Sequence, residues 1–195
     1  MPTVTALRDD RRGRVVVELD GAVWRTLPAD VVVRAGLAEG RALDRPALRV
    51  VRRELRRAEA LALAGRALQR RNLSSHELAL RLEPAAVRPE TAAETLDVLT
   101  RAGFIDDARF GHGRAQALAE RGYSDAAIRH DLEGRGLSPA LIDEALAALG
   151  AESERARRLV ERRGPGPKTA RYLAARGFGD EALEAALDAR FANDP

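Results

Sequence analysis

Residues 121–146 read RGYSDAAIRHDLEGRGLSPALIDEAL, and most of this stretch is helix punctuation. Tyr123 stands just before Ser124, and Ile128 follows where the fourth helical residue would lie. An apolar residue, a hydroxyl N-cap and a second apolar residue in that order form a hydrophobic staple. Leu137, Ser138 and Ile142 repeat the arrangement, with Pro139 at the first helical position, where its missing N–H costs nothing. Gly122 and Gly136 sit where preceding helices must stop, because glycine readily takes the left-handed conformation past a helix end. The stretch predicts short helices joined by tight turns.

The same punctuation extends outward. Staples pair Leu43-Asp44 with Leu48, Leu73-Ser74 with Leu78, Ile105-Asp106 with Phe110, and Phe178-Gly179 with Leu183. Ser74 adds a capping box through Glu77. Gly103, Gly150, Gly164 and Gly177 join Gly122 and Gly136 as expected helix stops. The last five of the six lie 13 or 14 residues apart. Arg121, Arg135, Arg163 and Arg176 precede four of these glycines, where the helix dipole favours a cation. A longer period lies above this. A shift of 41 residues places Arg114, Leu118, Leu132, Arg135 and Gly136 on Arg155, Leu159, Leu173, Arg176 and Gly177. A shift of 50 places Leu68, Arg71, Ser74 and Leu82 on Leu118, Arg121, Ser124 and Leu132. The chain is thus expected to be mostly α, with three tandem three-helix repeats near 58–102, 106–149 and 151–192, packed serially into an elongated array. The predicted divisions are an N-terminal β-hairpin extension (1–43), a long basic helix with the first repeat (44–102), the second repeat (103–149) and the third (150–195).

The first 43 residues differ in kind. Arg14–Leu19 and Ala22–Leu27 flank Asp20-Gly21, the pattern of a β-hairpin with a type I′ turn. Pairing across the turn sets Leu19 against Ala22 and Val17 against Trp24, with Glu18 and Arg25 on the opposite face, within diagonal reach. Thr3–Leu7 is a candidate third strand, entered through a turn at Asp9–Gly13. Pro28–Leu37 reads as a short helix.

Composition excludes several classes. Among 195 residues there is no cysteine, so disulfides, thiolate nucleophiles and Cys-bearing zinc sites are ruled out. Apolar residues at 45% and charged residues at 32% suit a folded chain. No apolar run approaches the roughly 18 residues of a membrane span, and MPTVTALRDD lacks the basic and apolar regions of a signal peptide. The expectation is a cytoplasmic protein. Net charge is only +3 despite 33 basic residues, of which Lys168 is the sole lysine. Placement of the arginines is therefore more informative than their number.

RALQRRNLSSHELALRL at 66–82, GFIDDARF at 103–110, RGYSDAAIRHDLEGRGLSPALIDEAL at 121–146 and RYLAARGFGDEALEAAL at 171–187 together resemble the RecX family of recombinase regulators. The hairpin is similar to an extension carried by some members. The resemblance implies an inhibitor without enzymatic activity; a monomer with no cofactor or metal is the further expectation. Such a protein binds the RecA–DNA filament within its groove and limits ATPase, strand exchange and co-protease activity, and so bears on recombination, DNA repair and the SOS response. Single- and double-stranded DNA are further ligand classes. The chain departs from the family's motifs in an arginine-for-lysine bias and an alanine-rich third repeat.

Candidate contact residues come from charge placement. Arg45, Arg49, Arg52, Arg53, Arg56 and Arg57 recur at steps of three and four on the helix after Asp44, opposite an expected core stripe of Leu48, Val51, Leu55, Ala58 and Ala62. Six guanidiniums on one face repel unless phosphates or an acidic surface oppose them. Arg66, Arg70 and Arg71 could continue the stripe beyond an expected bend at Gly65. Lys168 opens the helix after Gly166-Pro167, where phosphate contact is a weaker candidate. Asp106-Asp107 is better explained as an N-cap and a first-turn acid than as a catalytic pair. His76, His112 and His130 lack ligand spacing.

A helix-turn-helix DNA binder is the alternative from a different class. Its recognition helix would open with base-reading Arg, Asn or Gln. Residues 125–128, 139–142 and 167–170 read DAAI, PALI and PKTA instead, which favours a regulator or contact with backbone alone. No catalytic constellation is present to support an enzyme.

Overall fold

The computed structural model describes residues 1–10, 13–85 and 87–188, without the side chains of 185–188. Three strands, β1 (Val4–Asp10), β2 (Arg14–Leu19) and β3 (Ala22–Pro28), precede α1 (Ala29–Arg34), α2 (Arg45–Arg70), α3 (Ser75–Leu82), a 3-10 turn at Glu83–Ala85 and α4 (Pro89–Arg101). There follow α5 (Asp107–Glu120), α6 (Asp125–Glu133), α7 (Pro139–Ala147), α8 (Glu152–Arg163), α9 (Pro167–Ala174) and α10 (Asp180–Asp188). The fold is mostly α with tandem helical repeats, as the punctuation predicts. Two compact units are present: Met1–Arg71 with Leu78–Arg101, and Asn72–Glu77 with the chain from Ala102 onward.

In the first unit the expected hairpin is part of a three-stranded antiparallel sheet of order β1-β2-β3. Asp20 and Gly21 both have positive φ, at 49° and 83°, as a type I′ turn requires. The register is corrected in one place. Leu19 does face Ala22, but Val17 faces Arg25 rather than Trp24, because Trp24 is an extra residue bulged out of β3. Glu18 then pairs with Arg8 of β1 at 3.0 Å, not with Arg25. Val4, Val15, Val17 and Leu27 are buried under α1 and the first turns of α2, with Val31, Leu43, Ala47 and Val51.

The buried stripe of α2 also departs from expectation. Ala47, Val51, Glu54, Ala60, Ala64 and Ala67 are buried, while Ala62 is exposed and Leu48, Leu55 and Ala58 are only partly covered. At about 100° per residue, Ala60, Ala64 and Ala67 lie roughly opposite Ala47 and Val51. The helix therefore changes its buried face along its length: its start closes the sheet's core, and α4 packs along it as well. Gly65 does not interrupt it; α2 is helical throughout.

In the second unit α5–α7 enclose Ala115, Leu118, Ile128, Leu132, Leu137, Ile142 and Ala145. Around α8–α10 the described buried apolar residues are Ala156, Leu159, Leu173 and Phe178. Leu132 and Leu173, in register under the shift of 41, are both fully buried. The N-caps are those the staples predict. Asp44 accepts from Ala47 N at 2.7 Å, Ser74 Oγ from Glu77 N at 3.1 Å, and Asp106 from Arg109 N at 2.9 Å. Ser124 accepts from Ala127 N at 3.1 Å and Ser138 from Leu141 N at 3.4 Å. Ser74 N donates back to Glu77, which completes the capping box. Past α5, α6 and α9, the amides of Gly122, Gly136 and Gly177 donate to Ala119, Glu133 and Ala174. The next amides, of Tyr123, Leu137 and Phe178, reach back to Leu118, Leu132 and Leu173. This is the paired hydrogen bonding of a Schellman stop. Gly150 is the exception among the six expected stops, since its φ is not positive. Its carbonyl instead accepts from the Arg155 guanidinium at 2.6 Å.

Candidate functional site

The arginines of α2 divide by environment. Arg45, Arg49 and Arg52 are exposed, and among the described residues no carboxylate pairs with them. Arg53 and Arg57 lean instead to Glu54, at 2.9 and 3.9 Å, although Glu54 is only 6% exposed. Burying a carboxylate is costly unless cations neutralise it, and these two arginines do so. Arg56 is half-buried, its Nε without a partner among the described residues. The six-residue stripe is thus a free row of Arg45, Arg49 and Arg52 that ends in a neutralised, half-covered cluster. Arg66 and Arg70 are exposed further along the same uninterrupted helix, and Arg71, also exposed, is its extended C-cap residue. Lys168 belongs to the second unit, exposed on the first turn of α9. Arg45–Arg52 spans about 10 Å of helix at 1.5 Å per residue. Such a row can bind phosphates or carboxylates; it offers no acid–base chemistry.

The second unit contains an arrangement that sequence reasoning missed. The turn after α6 seats on the start of α3, and the turn after α9 seats on the start of α6. Ser74 Oγ donates to the Arg135 carbonyl at 2.7 Å, and Ser124 N donates to the Arg176 carbonyl at 3.0 Å. The following glycines permit this approach. A Cβ on Gly136 would lie 2.4 Å from His76 Cβ, and one on Gly177 would lie 2.7 Å from Ser124 Oγ. An acid at the start of the next first helix completes each joint: Asp107 accepts from Ser75 N at 2.8 Å, and Glu152 from Asp125 N at 3.3 Å. Asp106 is the N-cap expected of it. Asp107, expected to serve its own helix, also caps α3. The signal was the recurrence of Arg-Gly at 135–136 and 176–177 together with Ser at 74 and 124.

Charge pairing within this unit is dense. Arg135 spans Asp131 and Glu77, each at 2.7 Å, so this stop arginine acts through ion pairs as well as the dipole. Arg114 meets the same Asp131 at 2.7 Å. The Arg114 hydrogen bond, followed by that of Arg135, holds the Asp131 carboxyl well below the usual carboxylate range. Burial pushes the Glu152 carboxyl up, opposed in part by the Asp125 amide. His112 Nδ1 contacts the Ala108 carbonyl at 2.8 Å, and among the described residues no cluster of His, Asp and Glu could hold a metal. No described helix is long and apolar enough to cross a membrane.

Three-helix units with capped starts and glycine stops, joined turn to cap, define a tandem helical-repeat protein. Comparison with known proteins narrows the class. The family model described as RecX, second three-helix domain, matches residues 106–146. A regulatory protein RecX of Xanthomonas oryzae pv. oryzae is 36% identical over 129 residues, covering 61% of this chain and 81% of that protein. Another, from Deinococcus radiodurans, is 32% identical over 160 residues, covering 77% and 76%. A crystal structure of a regulatory protein RecX has the same fold, with a TM-score of 0.81 at 19% identity over 96% of this chain and 100% of the other. The chain belongs to the RecX family of regulatory proteins.

Proposed function

We propose that this chain is a non-enzymatic, monomeric, cytoplasmic regulator that binds the RecA–DNA filament and limits its ATPase, strand-exchange and co-protease activity. Family membership supports the regulatory reading. The observation that carries the contact is the row Arg45, Arg49 and Arg52, exposed on one helix face and, among the described residues, without a carboxylate partner. Like charges held this close repel, so an opposing anionic surface lowers their energy. The filament offers both DNA phosphate and protein carboxylate. Beyond the row, Arg53 and Arg57 are engaged by Glu54, which leaves Arg45, Arg49 and Arg52 as its available members.

The test is RecA's DNA-dependent ATPase with increasing protein. A filament regulator inhibits well below stoichiometry with RecA. Inhibition that sets in only when the protein titrates the DNA itself would replace this reading with plain DNA binding of the helix-turn-helix kind.

A further inference from the structure

The chain has only two tyrosines, and both lie in the second unit under arginines. Arg163 lies over the Tyr172 ring, 3.8 Å from its centroid. Arg176 lies near both rings, 4.4 Å from the centroid of Tyr123 and 5.0 Å from that of Tyr172. Arg121 stands 5.6 Å from the Tyr123 centroid. Arg176 Nη1 also donates to the Arg121 carbonyl at 2.9 Å, which fixes the centre of the ladder. Lys168 precedes Tyr172 by four residues on α9, so it occupies the same helix face. Arg121, Arg163 and Lys168 are exposed. Among the described residues no ion pair joins any of these four cations to a carboxylate, although elsewhere in the unit arginine–carboxylate pairs abound.

We propose that this ladder is a second anion site, one that binds the phosphodiester backbone of a nucleic-acid strand. A guanidinium laid on an aromatic ring is held by cation–π attraction while its N–H edge stays free. That edge matches phosphate oxygens bidentately. From Lys168 to its end at Ala174, α9 covers about 9 Å at 1.5 Å per residue, and Arg176 lies in the turn just beyond. That length spans roughly two to three phosphate steps at the 3.4 Å axial spacing of a duplex strand. A backbone with one negative charge at every step suits a row of cations better than the irregular carboxylates of an acidic protein face. The ladder lies in the unit that does not contain the α2 row, and its binding does not require RecA.

The test uses the full chain without RecA and a fluorescent mixed-sequence single strand, titrated by anisotropy over a salt series. Arg121→Gln with Arg163→Gln removes two free edges and leaves Arg176 in place. Affinity should fall roughly three- to tenfold, and the log–log salt slope should shrink by about 1.4, at ~0.7 for each phosphate no longer neutralised. Tyr172→Leu keeps apolar volume but removes the ring, and should weaken binding in the same direction. Circular dichroism and melting check that the variants fold. Unchanged affinity and slope would overturn the proposal, as would a lowered melting temperature with unchanged affinity, which marks a purely structural ladder. Loss of binding to polyglutamate but not to the oligonucleotide would also overturn it, in favour of an acidic protein partner. None of these outcomes bears on whether RecA's ATPase is inhibited.

Discussion

Gly136→Ala and Gly177→Ala probe the joints of the second unit, with Gly103→Ala as the reference. All three glycines have similar left-handed φ, at 75°, 84° and 73°. Placing alanine there costs about 1–2 kcal/mol, of which roughly 0.4–1 is recovered because alanine narrows the unfolded ensemble. A Cβ on Gly103 meets nothing within 4 Å, so its variant should lose only about 1 kcal/mol. A Cβ on Gly136 lands 2.4 Å from both His76 Cβ and Cγ, and one on Gly177 lies 2.7 Å from Ser124 Oγ and 3.2 Å from Ala127 Cβ. Neither His76 Cβ nor Ala127 Cβ can swing away, so the turn must lift from its seat. Overpacking of this kind adds about 1–3 kcal/mol. The two joint variants should therefore lose about 2–4 kcal/mol in total, or roughly 4–16 °C in melting temperature. Urea and thermal unfolding followed by far-UV circular dichroism give both quantities. Equal losses in all three variants would show that backbone conformation alone sets the cost and that the turns do not seat as described.

Three further outcomes follow from the same geometry. Leu132→Ala and Leu173→Ala, each fully buried, should each destabilise by about 2–5 kcal/mol, and unchanged melts in both would contradict the repeat register. Replacing Arg45, Arg49 and Arg52 together by Gln avoids the arginines that neutralise Glu54; it should leave the fold intact and weaken RecA inhibition, and full inhibition by this variant would dismiss the row. If the row meets DNA, the salt slope for duplex should also shrink by roughly 2–3 units. The Asp131 carboxyl is depressed in the folded state, so its contribution is fully present above its unfolded value near 3.9 and is lost as pH falls toward the folded one. Asp131→Asn should thus be less stable than the parent at neutral pH, with the gap closing in acid; a gap that widens in acid would reverse the assignment.

The elements that could be read from the sequence are those set by local chemistry. Asp44, Ser74, Asp106, Ser124 and Ser138 each cap the helix they were expected to start, because a side-chain oxygen satisfies an amide only a few residues away. Trp24 was not legible as a bulge, since the break in β3 shifts the register by one residue without leaving a glycine to mark it. The faces of α2 were misread because one helix was assigned one core. Ala47 and Val51 serve one half of it and Ala60, Ala64 and Ala67 the other at a different phase, and periodicity averaged over the length hides that. Glu54 lay in plain sight, yet its burial, which draws Arg53 and Arg57 out of the free row, depends on tertiary packing. For Gly150 the residue type was right for a stop, but a guanidinium from the next helix holds its carbonyl instead.

The seating of turns on distant caps has a kinetic side. Ser74 and Arg135 are 61 residues apart, and Arg121 and Arg176 are 55 apart, whereas helices within a repeat meet across connections of a few residues. Closing a long loop costs more chain entropy than closing a short one, and the seat does not exist until both flanking helix groups are formed. Each three-helix group should therefore assemble first, with the joints locking afterwards, on the native side of the rate-limiting barrier. Contacts made that late slow escape from the native state and do little to hasten arrival. In a chevron, joint variants would steepen the loss through faster unfolding while refolding keeps its pace. The two Arg-Gly turns then act as latches that set how long the assembled unit stays closed.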